Sequence, residues 1–327
     1  MFGISEIVTI LPEKRVSAAE VAEREDLAAT DREILERLGI ESVREAEGRP
    51  ATELATEAAR LLADRSAAAF LLVGGRYPEL LTASEATRAQ RDSGLTDGLA
   101  MGVSELGCVS VSAALMVGRG LLAADPALPG VVLAHGNRPP GSRRYRRPVT
   151  VNGDGAMALR LARDGALRIV DIALETNGDY WDLFQVDYLG KPFAEWQEAC
   201  ADLRRYSFSL AVESKKRFAR MNEELLGRQG LAMEDVDHFV TQNLSLGAFD
   251  FYEQSFDISL AAACRSNLRA YGHVGSTDIA LNLQTGLAEG EFRTGDLVLV
   301  MNNSPVAAWS SMLVEVTGPL RSAVHRS

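Results

Sequence analysis

Cys108 stands at a position typical of a catalytic nucleophile. It follows a Glu-Leu-Gly tripeptide and opens a long apolar run, so the sequence predicts a sharp turn from a strand into a buried helix. The first turn of a helix presents unpaired N–H groups and a partial positive charge, which favour a thiolate and can hold an oxyanion. The competing interpretation is a small residue that fills a tight turn. Cys200, in a helix-like run at 195–204, and Cys264 are predicted to be core thiols.

His273 is the histidine best placed to serve as a base. It lies in a glycine-flanked loop just before a second apolar helix, where glycines let the backbone pack closely and leave the imidazole free to project. Asp278 follows five residues later, so it either orients the ring and stabilises an imidazolium or only complements the helix dipole. We expect the pKa of His273 to lie near neutrality. His135, His238 and His325 have weaker claims, at a strand end, in a strand and in the tail.

These candidates belong to two halves of similar pattern. Five pairs of identical residues are each 166 positions apart: Leu115 and Leu281, Gly120 and Gly286, Leu121 and Leu287, Val132 and Val298, and Asn137 and Asn303. The offset predicts a duplicated α/β unit, with halves at 1–165 and 166–327, packed about an internal two-fold. Chance similarity between helix-turn-strand units is the alternative. The same offset maps Cys108 next to His273, so we expect thiol and imidazole to begin two facing central helices.

The composition excludes several classes of protein. The chain has 327 residues, 46% hydrophobic and 24% charged, which excludes a disordered chain and a small disulfide scaffold. A net charge of −11 disfavours a nucleic-acid partner, and an odd number of cysteines favours reduced thiols. No apolar run reaches the length of a membrane span and no secretory signal is recognised, so a cytosolic location is expected. Strands at 4–11, 67–73 and 131–134 and helices at 30–38, 51–64 and 109–123 predict α/β layering.

Several segments together resemble the β-ketoacyl-ACP synthase III group of the thiolase-fold condensing enzymes. They are LPEKRV, LGIESVR, SELGCVSVSAALMVGRGLL, the GDGA loop, DVDHFVTQNLS, GHVGSTDIALNL and LVLVMNN with AAWSSMLV. The resemblance covers nearly the whole chain and implies a five-layered αβαβα fold and a homodimer. It also implies that Cys108 is acylated from a CoA or acyl-carrier-protein thioester, with no tightly bound cofactor and no metal.

Two departures from that group concern the chemistry. Where decarboxylating members carry a histidine, this chain has Gln242, and where they carry an asparagine after a glycine, it has His273. An amide donates a hydrogen bond but cannot shuttle protons. Cys108, His273 and Asp278 instead look like the triad of the acyltransferase-type branch, which serves secondary-metabolite biosynthesis. That branch implies acyl transfer without decarboxylation to a hydroxyl, amine or carrier acceptor.

Two other functions stay open on the sequence. One is a starter-unit condensing enzyme that uses a malonyl carrier, and the other is an inactive partner subunit of a condensing enzyme. The family's glycine-rich loop, which supplies an oxyanion donor, is replaced by a run containing Ser304 and Pro305. Proline has no N–H, so the donor is expected from Ser304, Val306 or Gln242. Gln242, Asn243 and Ser304 are the predicted oxyanion or substrate residues.

Basic residues stand out against the acidic background and predict docking sites for CoA or an acidic carrier protein. Arg138 and Arg144 lie in an arginine-rich loop, and Lys215 and Lys216 lie on a predicted helix that matches a carrier-binding helix of the family. A solvated face is the alternative for each group. The aromatic segment 177–196 is predicted to be either a lid over the acyl tunnel or a dimer and core element.

Overall fold

The structure is a computed structural model that describes residues 2–66, 69–74, 82–95 and 98–327. Within these residues the strands are β1 (Gly3–Leu11), β2 (Arg15–Ser17), β3 (Ser42–Arg44), β4 (Ala69–Val73), β5 (Leu99–Val103), β6 (Val131–Asn137), β7 (Tyr145–Arg146), β8 (Thr150–Val151), β9 (Gly155–Ala162), β10 (Leu167–Thr176), β11 (Phe184–Val186), β12 (Glu198–Cys200), β13 (His238–Thr241), β14 (Leu297–Ser304), β15 (Ala308–Val316) and β16 (Arg321–Arg326). The α-helices are α1 (Ala18–Arg24), α2 (Ala29–Arg37), α3 (Ala51–Arg60), α4 (Glu85–Ser93), α5 (Ser110–Ala124), α6 (Ala211–Gly227), α7 (Leu246–Phe256), α8 (Ala262–Tyr271) and α9 (Thr277–Ala288). A π-helical turn, Arg205–Leu210, leads into α6.

The main sheet repeats one strand pattern in each half of the chain. In the first half the order is β1-β9-β6-β4-β5, with β4 parallel to β5 and β6 and with β9 antiparallel to its neighbours. In the second half the order is β10-β15-β14-β13, and a parallel bridge from Phe239 to Leu260 stands where β5 stands in the first. Two residue pairs between β1 and β10 join the halves. The boundary at 165 and 166 falls in the turn between β9 and β10, and the division into two domains stays a prediction.

Helices cover both faces of the two half-sheets. The first half-sheet carries α3 and α4 on its outer face, and the second carries α6. Between them, α5 and α9 each contact strands of both halves. The arrangement gives the layers α, β, α, β and α, so the predicted fold class is confirmed.

The sequence explains why these layers pack closely. All five residues of β4, AFLLV, are buried, as expected of a strand covered on both faces. The inner face of α3 is formed by Leu54, Ala55, Ala58 and Ala59, whose exposed fraction is zero. Small side chains there let the helix approach the sheet. Gly136 completes this contact, because a Cβ on it would lie 1.9 Å from the carbonyl oxygen of Ala51.

Several predicted elements differ from those observed. The helix expected at 51–64 ends at Arg60, and residues 67–68 of the strand expected at 67–73 lie outside the described residues. The helical prediction around Cys200 is wrong: residues 198–200 form β12, which pairs antiparallel with β11. Pairing across the hairpin overrides the local helical propensity.

The sequence analysis also expected no stretch long and apolar enough to span a membrane. Within the described residues, the 18-residue helical stretch Gly107–Ala124 meets that criterion by length and composition. Half of the stretch is buried inside the fold, where α5 packs between the half-sheets. Its hydropathy is therefore that of a central core helix.

Candidate active site

The turn that carries Cys108 is built by two left-handed residues. Glu105 and Gly107 have φ angles of 74° and 55°, and a 3₁₀ turn, Gly107–Val109, then leads into α5. The chain therefore reverses sharply just before the thiol, as expected from the sequence. Cys108 is 6% exposed and sits at the start of the helical segment.

Cys108, His273 and Asp278 form a continuous hydrogen-bonded chain. Cys108 Sγ lies 3.2 Å from His273 Nε2, and His273 Nδ1 lies 2.6 Å from Asp278 Oδ2. The carboxylate accepts a hydrogen bond from Nδ1–H, so the other ring nitrogen faces the thiol. His273 lies in the loop between α8 and α9, and Asp278 lies in the first turn of α9. The two helices α5 and α9 thus bring together the three residues that the sequence singled out.

Asp278 is held in place as a hydrogen-bond acceptor by the main chain. Its exposed fraction is zero, and it accepts hydrogen bonds from the backbone N–H of Asn243 at 2.9 Å and of Val274 at 2.7 Å. Together with His273 Nδ1 these three donors account for the orientation of the carboxylate. Asn243 was predicted to touch substrate, but it is fully buried and its side chain pairs with Asn282 at 2.9 Å. Its role is therefore to position Asp278, which corrects the prediction.

The charges around His273 favour its protonated form. Burial lowers the pKa of the imidazole, but the thiolate of Cys108, the charge of Asp278 and the hydrogen bonds to both outweigh that effect and raise the pKa to about 9. The value near neutrality expected from the sequence is therefore wrong for the free protein. The Cys108 sulfur therefore faces a ring nitrogen whose protonated form the site favours.

Two further residues hold the nucleophile in place, and the sequence analysis missed them. The Nδ2 of Asn302 donates to the carbonyl oxygen of Cys108 at 2.8 Å, and the hydroxyl of Ser276 donates to the same oxygen at 3.2 Å. Both residues are about 98% buried or more. In the sequence, Asn302 could have been recognised as a polar residue at the end of an otherwise apolar strand.

A narrow slot of about 20 Å³ opens beside the thiol. Its walls are formed by Cys108, Arg146, Val149, Tyr206, Leu210, Gln242, Leu244, Asn303, Ser304 and Pro305. Such a volume holds about one water-sized group. The slot is polar for an acyl site, because the buried guanidinium of Arg146 lies on its wall, paired with Glu198 at 3.0 Å.

Gln242 presents an oxygen atom in this slot. Its Nε2 donates to the main-chain oxygen of Asn303 at 2.7 Å and also contacts the Asn303 side-chain oxygen. A main-chain oxygen only accepts, so this contact fixes which end of the amide is the nitrogen. The Oε1 of Gln242 is buried and has no hydrogen-bond partner among the described residues. It therefore offers an acceptor to whatever enters the slot.

A larger cavity of about 610 Å³ borders the same loop. Pro305 lines both spaces, whereas Val306, Phe184 and Glu198 line the larger one. The aromatic segment 177–196 therefore contributes one ring to a cavity wall. Its other aromatic residues are largely exposed, with Trp181 at 73%, so the choice between a lid and a dimer element stays open.

Comparisons with known proteins agree with this geometry. Residues 226–316 match the family described as "3-Oxoacyl-[acyl-carrier-protein (ACP)] synthase III C terminal". The chain is 26% identical to the β-ketoacyl-[acyl-carrier-protein] synthase III of Ruegeria pomeroyi, over 93% of this chain and 95% of the relative. It is 24% identical to the enzyme of the same name from Campylobacter jejuni, over 97% and 98%. The chain is thus similar to β-ketoacyl-[acyl-carrier-protein] synthases III over nearly its whole length.

Solved structures show that this chain has the fold of proteins described as synthase III. The Pseudomonas aeruginosa 3-oxoacyl-(acyl carrier protein) synthase III has a TM-score of 0.79 at 18% identity and covers 98% of this chain and 99% of its own. A protein described as the acyltransferase ChlB3 has a TM-score of 0.80 at 21% identity, with 97% and 98% covered. Both likenesses establish the fold.

The predicted docking arginine Arg144 is not available at the protein surface. It is 8% exposed, and its two terminal nitrogens bind the carboxylate of Asp154 at 3.0 and 2.9 Å. Asp154 also accepts from the backbone N–H of Ala46 at 2.8 Å. Arg144 is therefore a structural residue that ties the arginine-rich loop to the sheet, which corrects the prediction. Arg138 is half-buried and donates to the carbonyl oxygen of Arg49 at 3.1 Å.

Lys215 and Lys216 lie exposed on α6, as the docking prediction requires. Phe208 and Val212, about two turns and one turn before them, are 68% and 43% exposed. Residues 208–216 thus form a mixed basic and apolar surface, which we call the α6 patch. The same segment reaches the slot, because Leu210 lies on its wall.

The remaining titratable candidates have structural surroundings. Burial raises the pKa of the Cys264 thiol to about 12, in keeping with the predicted core thiol. Burial lowers the pKa of His135 to about 4, and its Nδ1 donates to the carbonyl oxygen of Val73 at 2.9 Å. His238 pairs with Asp296 at 3.0 Å. Among the described residues, no group of three or more His, Cys, Asp or Glu side chains is arranged to hold a metal ion.

Proposed function

We propose that this protein is a cytosolic acyltransferase of secondary-metabolite biosynthesis. It takes an acyl group from a CoA or acyl-carrier-protein thioester onto Cys108 and passes it to a hydroxyl, amine or carrier acceptor without decarboxylation. The observation that carries the proposal is the chain from Cys108 Sγ through His273 to Asp278, with contacts of 3.2 and 2.6 Å. A base that is hydrogen-bonded to the nucleophile can remove the proton of a hydroxyl or amine acceptor as that acceptor attacks the acyl group.

In the first step the thiolate of Cys108 attacks the carbonyl carbon of the thioester. The new carbon–sulfur bond pushes the π electrons onto the oxygen, and the tetrahedral species collapses with loss of the pantetheine thiolate. The imidazolium of His273 protonates that leaving group. Because the pKa of His273 is about 9 in the free protein, the proton is in place before the donor binds.

In the second step acylation itself prepares the base. The thioester on Cys108 carries no charge, so the main influence that raises the pKa of His273 is lost while burial continues to lower it. The neutral imidazole then accepts the proton of an O–H or N–H nucleophile as that atom attacks the acyl carbon. Collapse breaks the carbon–sulfur bond and restores the ion pair of thiolate and imidazolium.

Decarboxylative condensation is the second candidate function, because curated relatives are named β-ketoacyl-[acyl-carrier-protein] synthase III. That reaction needs a hydrogen-bond donor at the malonyl thioester carbonyl, which becomes an enolate oxygen. Gln242 presents its Oε1 acceptor in the slot, while its Nε2 is held by Asn303. An acceptor facing a carbonyl oxygen repels it, which favours the acyltransferase over the condensing enzyme.

Similarity to synthases III supports the proposed donor, a phosphopantetheine thioester with no tightly bound cofactor, since the relatives' names refer to an acyl-carrier protein. We assign carrier docking to the α6 patch, whose lysines suit an acidic carrier. We assign the homodimer contact to β5. Its partner among the described strands is β4 on one side, and Leu99 and Met101 are 48% and 37% exposed. An exposed apolar edge strand is a template for pairing with a second copy.

Intact-mass analysis tests the proposal. Wild-type protein and Cys108→Ala are incubated with a panel of acyl-CoA and acyl-carrier thioesters, and an adduct is expected on wild type alone. Cys200→Ala, which removes a thiol from β12, is the matched control and should still acylate. His273→Ala should slow transfer from a preformed acyl enzyme to acceptors.

Two outcomes would reject the proposal. Absence of a Cys108-dependent adduct with every donor would favour the inactive partner subunit. Release of CO₂ together with a β-ketoacyl product from a malonyl carrier would favour the condensing enzyme.

A further inference from the structure

The oxyanion produced when Cys108 is acylated needs hydrogen-bond donors beside the thiol, and the loop at 302–306 leaves one donor unaccounted for. Preorganised donors at this oxygen are among the largest contributions to acyl-transfer catalysis. Pro305 lies on the wall of the Cys108 slot and has no N–H to offer. This inference rests on the proposed function, since it concerns the acylation of Cys108.

The amide side chains nearest the nucleophile are already committed. Gln242 directs its Nε2 to the main-chain and side-chain oxygens of Asn303. Asn302 donates its Nδ2 to the carbonyl oxygen of Cys108 at 2.8 Å. Both contacts would have to break before either amide could serve an oxyanion.

Val306 is a third candidate donor, through its backbone. It lines the 610 Å³ cavity and is absent from the described residues that line the slot beside the thiol. Its main chain therefore faces a different space from the one in which Cys108 reacts.

The hydroxyl of Ser304 is available as a hydrogen-bond donor. Its side chain is 2% exposed, it lines the slot with Cys108, and its Oγ has no hydrogen-bond partner among the described residues. A buried hydroxyl without a partner is costly, so such a group in a reaction site points to a ligand that completes it. Ser304 also lies against the turn that carries the nucleophile. A Cβ on Gly107 would lie 3.0 Å from Ser304 Cβ and 3.3 Å from Ser304 Oγ.

We propose that the hydroxyl of Ser304 is a catalytic hydrogen-bond donor to the acyl oxyanion, in place of the backbone N–H that Pro305 lacks. As Cys108 Sγ bonds to the thioester carbon, the carbonyl π pair moves to the oxygen, and Ser304 Oγ–H donates to that oxygen. Collapse returns the electron pair and expels the pantetheine thiolate, which takes its proton from His273. Ser304 holds a hydrogen bond throughout and transfers no proton.

The test compares acylation rates at saturating acyl donor by intact mass in three variants. Ser304→Ala is expected to acylate about 10²-fold to 10³-fold more slowly than wild type, the loss typical of one oxyanion donor. The double variant Ser304→Ala/Pro305→Gly regains a backbone N–H at position 305 and should recover most of the rate. Ser311→Ala, which deletes a buried hydroxyl bonded to Asn222 at 2.6 Å, is the matched control and should acylate normally.

Alkylation of Cys108 by iodoacetamide separates a catalytic from a structural role. That reaction depends on the thiolate but forms no oxyanion, so its rate should be the same in wild type and Ser304→Ala. A normal acylation rate in Ser304→Ala would overturn the role of Ser304 and leave the acyltransferase proposal standing. Equal losses of alkylation and acylation would overturn it as well, because they would show that Ser304 supports the thiolate. If wild type forms no adduct with any donor, both proposals fail together.

Discussion

Replacing Cys108 by alanine is expected to lower the pKa of His273 well below its value of about 9 in the wild type. The substitution removes a negative charge 3.2 Å from the imidazole Nε2. At an effective dielectric constant of about 20, that charge stabilises the imidazolium by about 5 kcal/mol. This energy corresponds to an upper limit of about four pKa units, since one unit is about 1.4 kcal/mol. Asp278 remains and burial remains, so we expect a fall of at least about two units.

Histidine titration by NMR can measure this change, because the chain contains four histidines. With ¹⁵N-labelled histidine, the ring nitrogen shifts report protonation, and His273→Gln identifies the signal. Cys200→Ala is the matched control, a cysteine-to-alanine change in β12, and should leave the titration unchanged. The acyl enzyme should behave like Cys108→Ala, because acylation also removes the charge. An unchanged pKa of His273 in Cys108→Ala would refute the ion pair and the switching of the base on acylation.

Four further predictions concern the acid, the arginine-rich loop and two surfaces. Asp278→Asn should reduce acyl transfer by about 10⁴-fold, the loss seen when a triad carboxylate becomes an amide, and steady-state turnover within tenfold of wild type would contradict the triad. Arg144→Ala should lower the free energy of unfolding in urea by about 3 to 5 kcal/mol, because it leaves a buried carboxylate unpaired. Lys215→Glu should raise KM for an acyl carrier but not for acyl-CoA, and equal changes in both would exclude the α6 patch. Met101→Lys should yield monomers in sedimentation velocity, and an unchanged sedimentation coefficient would exclude β5 as the dimer contact.

The three candidate catalytic residues could be located from the sequence because their signals are local. Cys108 follows a glycine at the start of an apolar helix, and His273 precedes a second such helix with Asp278 in its first turn. The repeat offset then indicated that the two helix starts would meet. Their charge state could not be read in this way, because the pKa of His273 depends on a 3.2 Å contact across the middle layer.

The predicted roles of Arg144 and Asn243 were wrong for a different physical reason. Arg144 and Asn243 have the polarity of functional residues, yet both bind buried partners in other elements of the fold, 10 and 35 residues away in the chain. Ser276 carries no local signal, and Asn302 carries only that of a polar residue at the end of an apolar strand, because the role of both is defined by one shared carbonyl oxygen. Cys200 is predicted to lie on a helix because the local pattern does not show that residues 198–200 pair with β11. Polarity alone therefore does not separate a ligand-binding side chain from one that holds the fold together.

The fixed amide of Gln242 has a consequence for chemical probes of this protein. Because a main-chain oxygen holds its nitrogen, the slot presents a carbonyl-type oxygen whose orientation cannot be reversed without breaking that bond. A covalent label for Cys108 should therefore carry an N–H or O–H group beside its electrophilic carbon. Isosteric labels with an ether or ketone at that position should react more slowly, since two unshared oxygen lone pairs would face each other in a buried space.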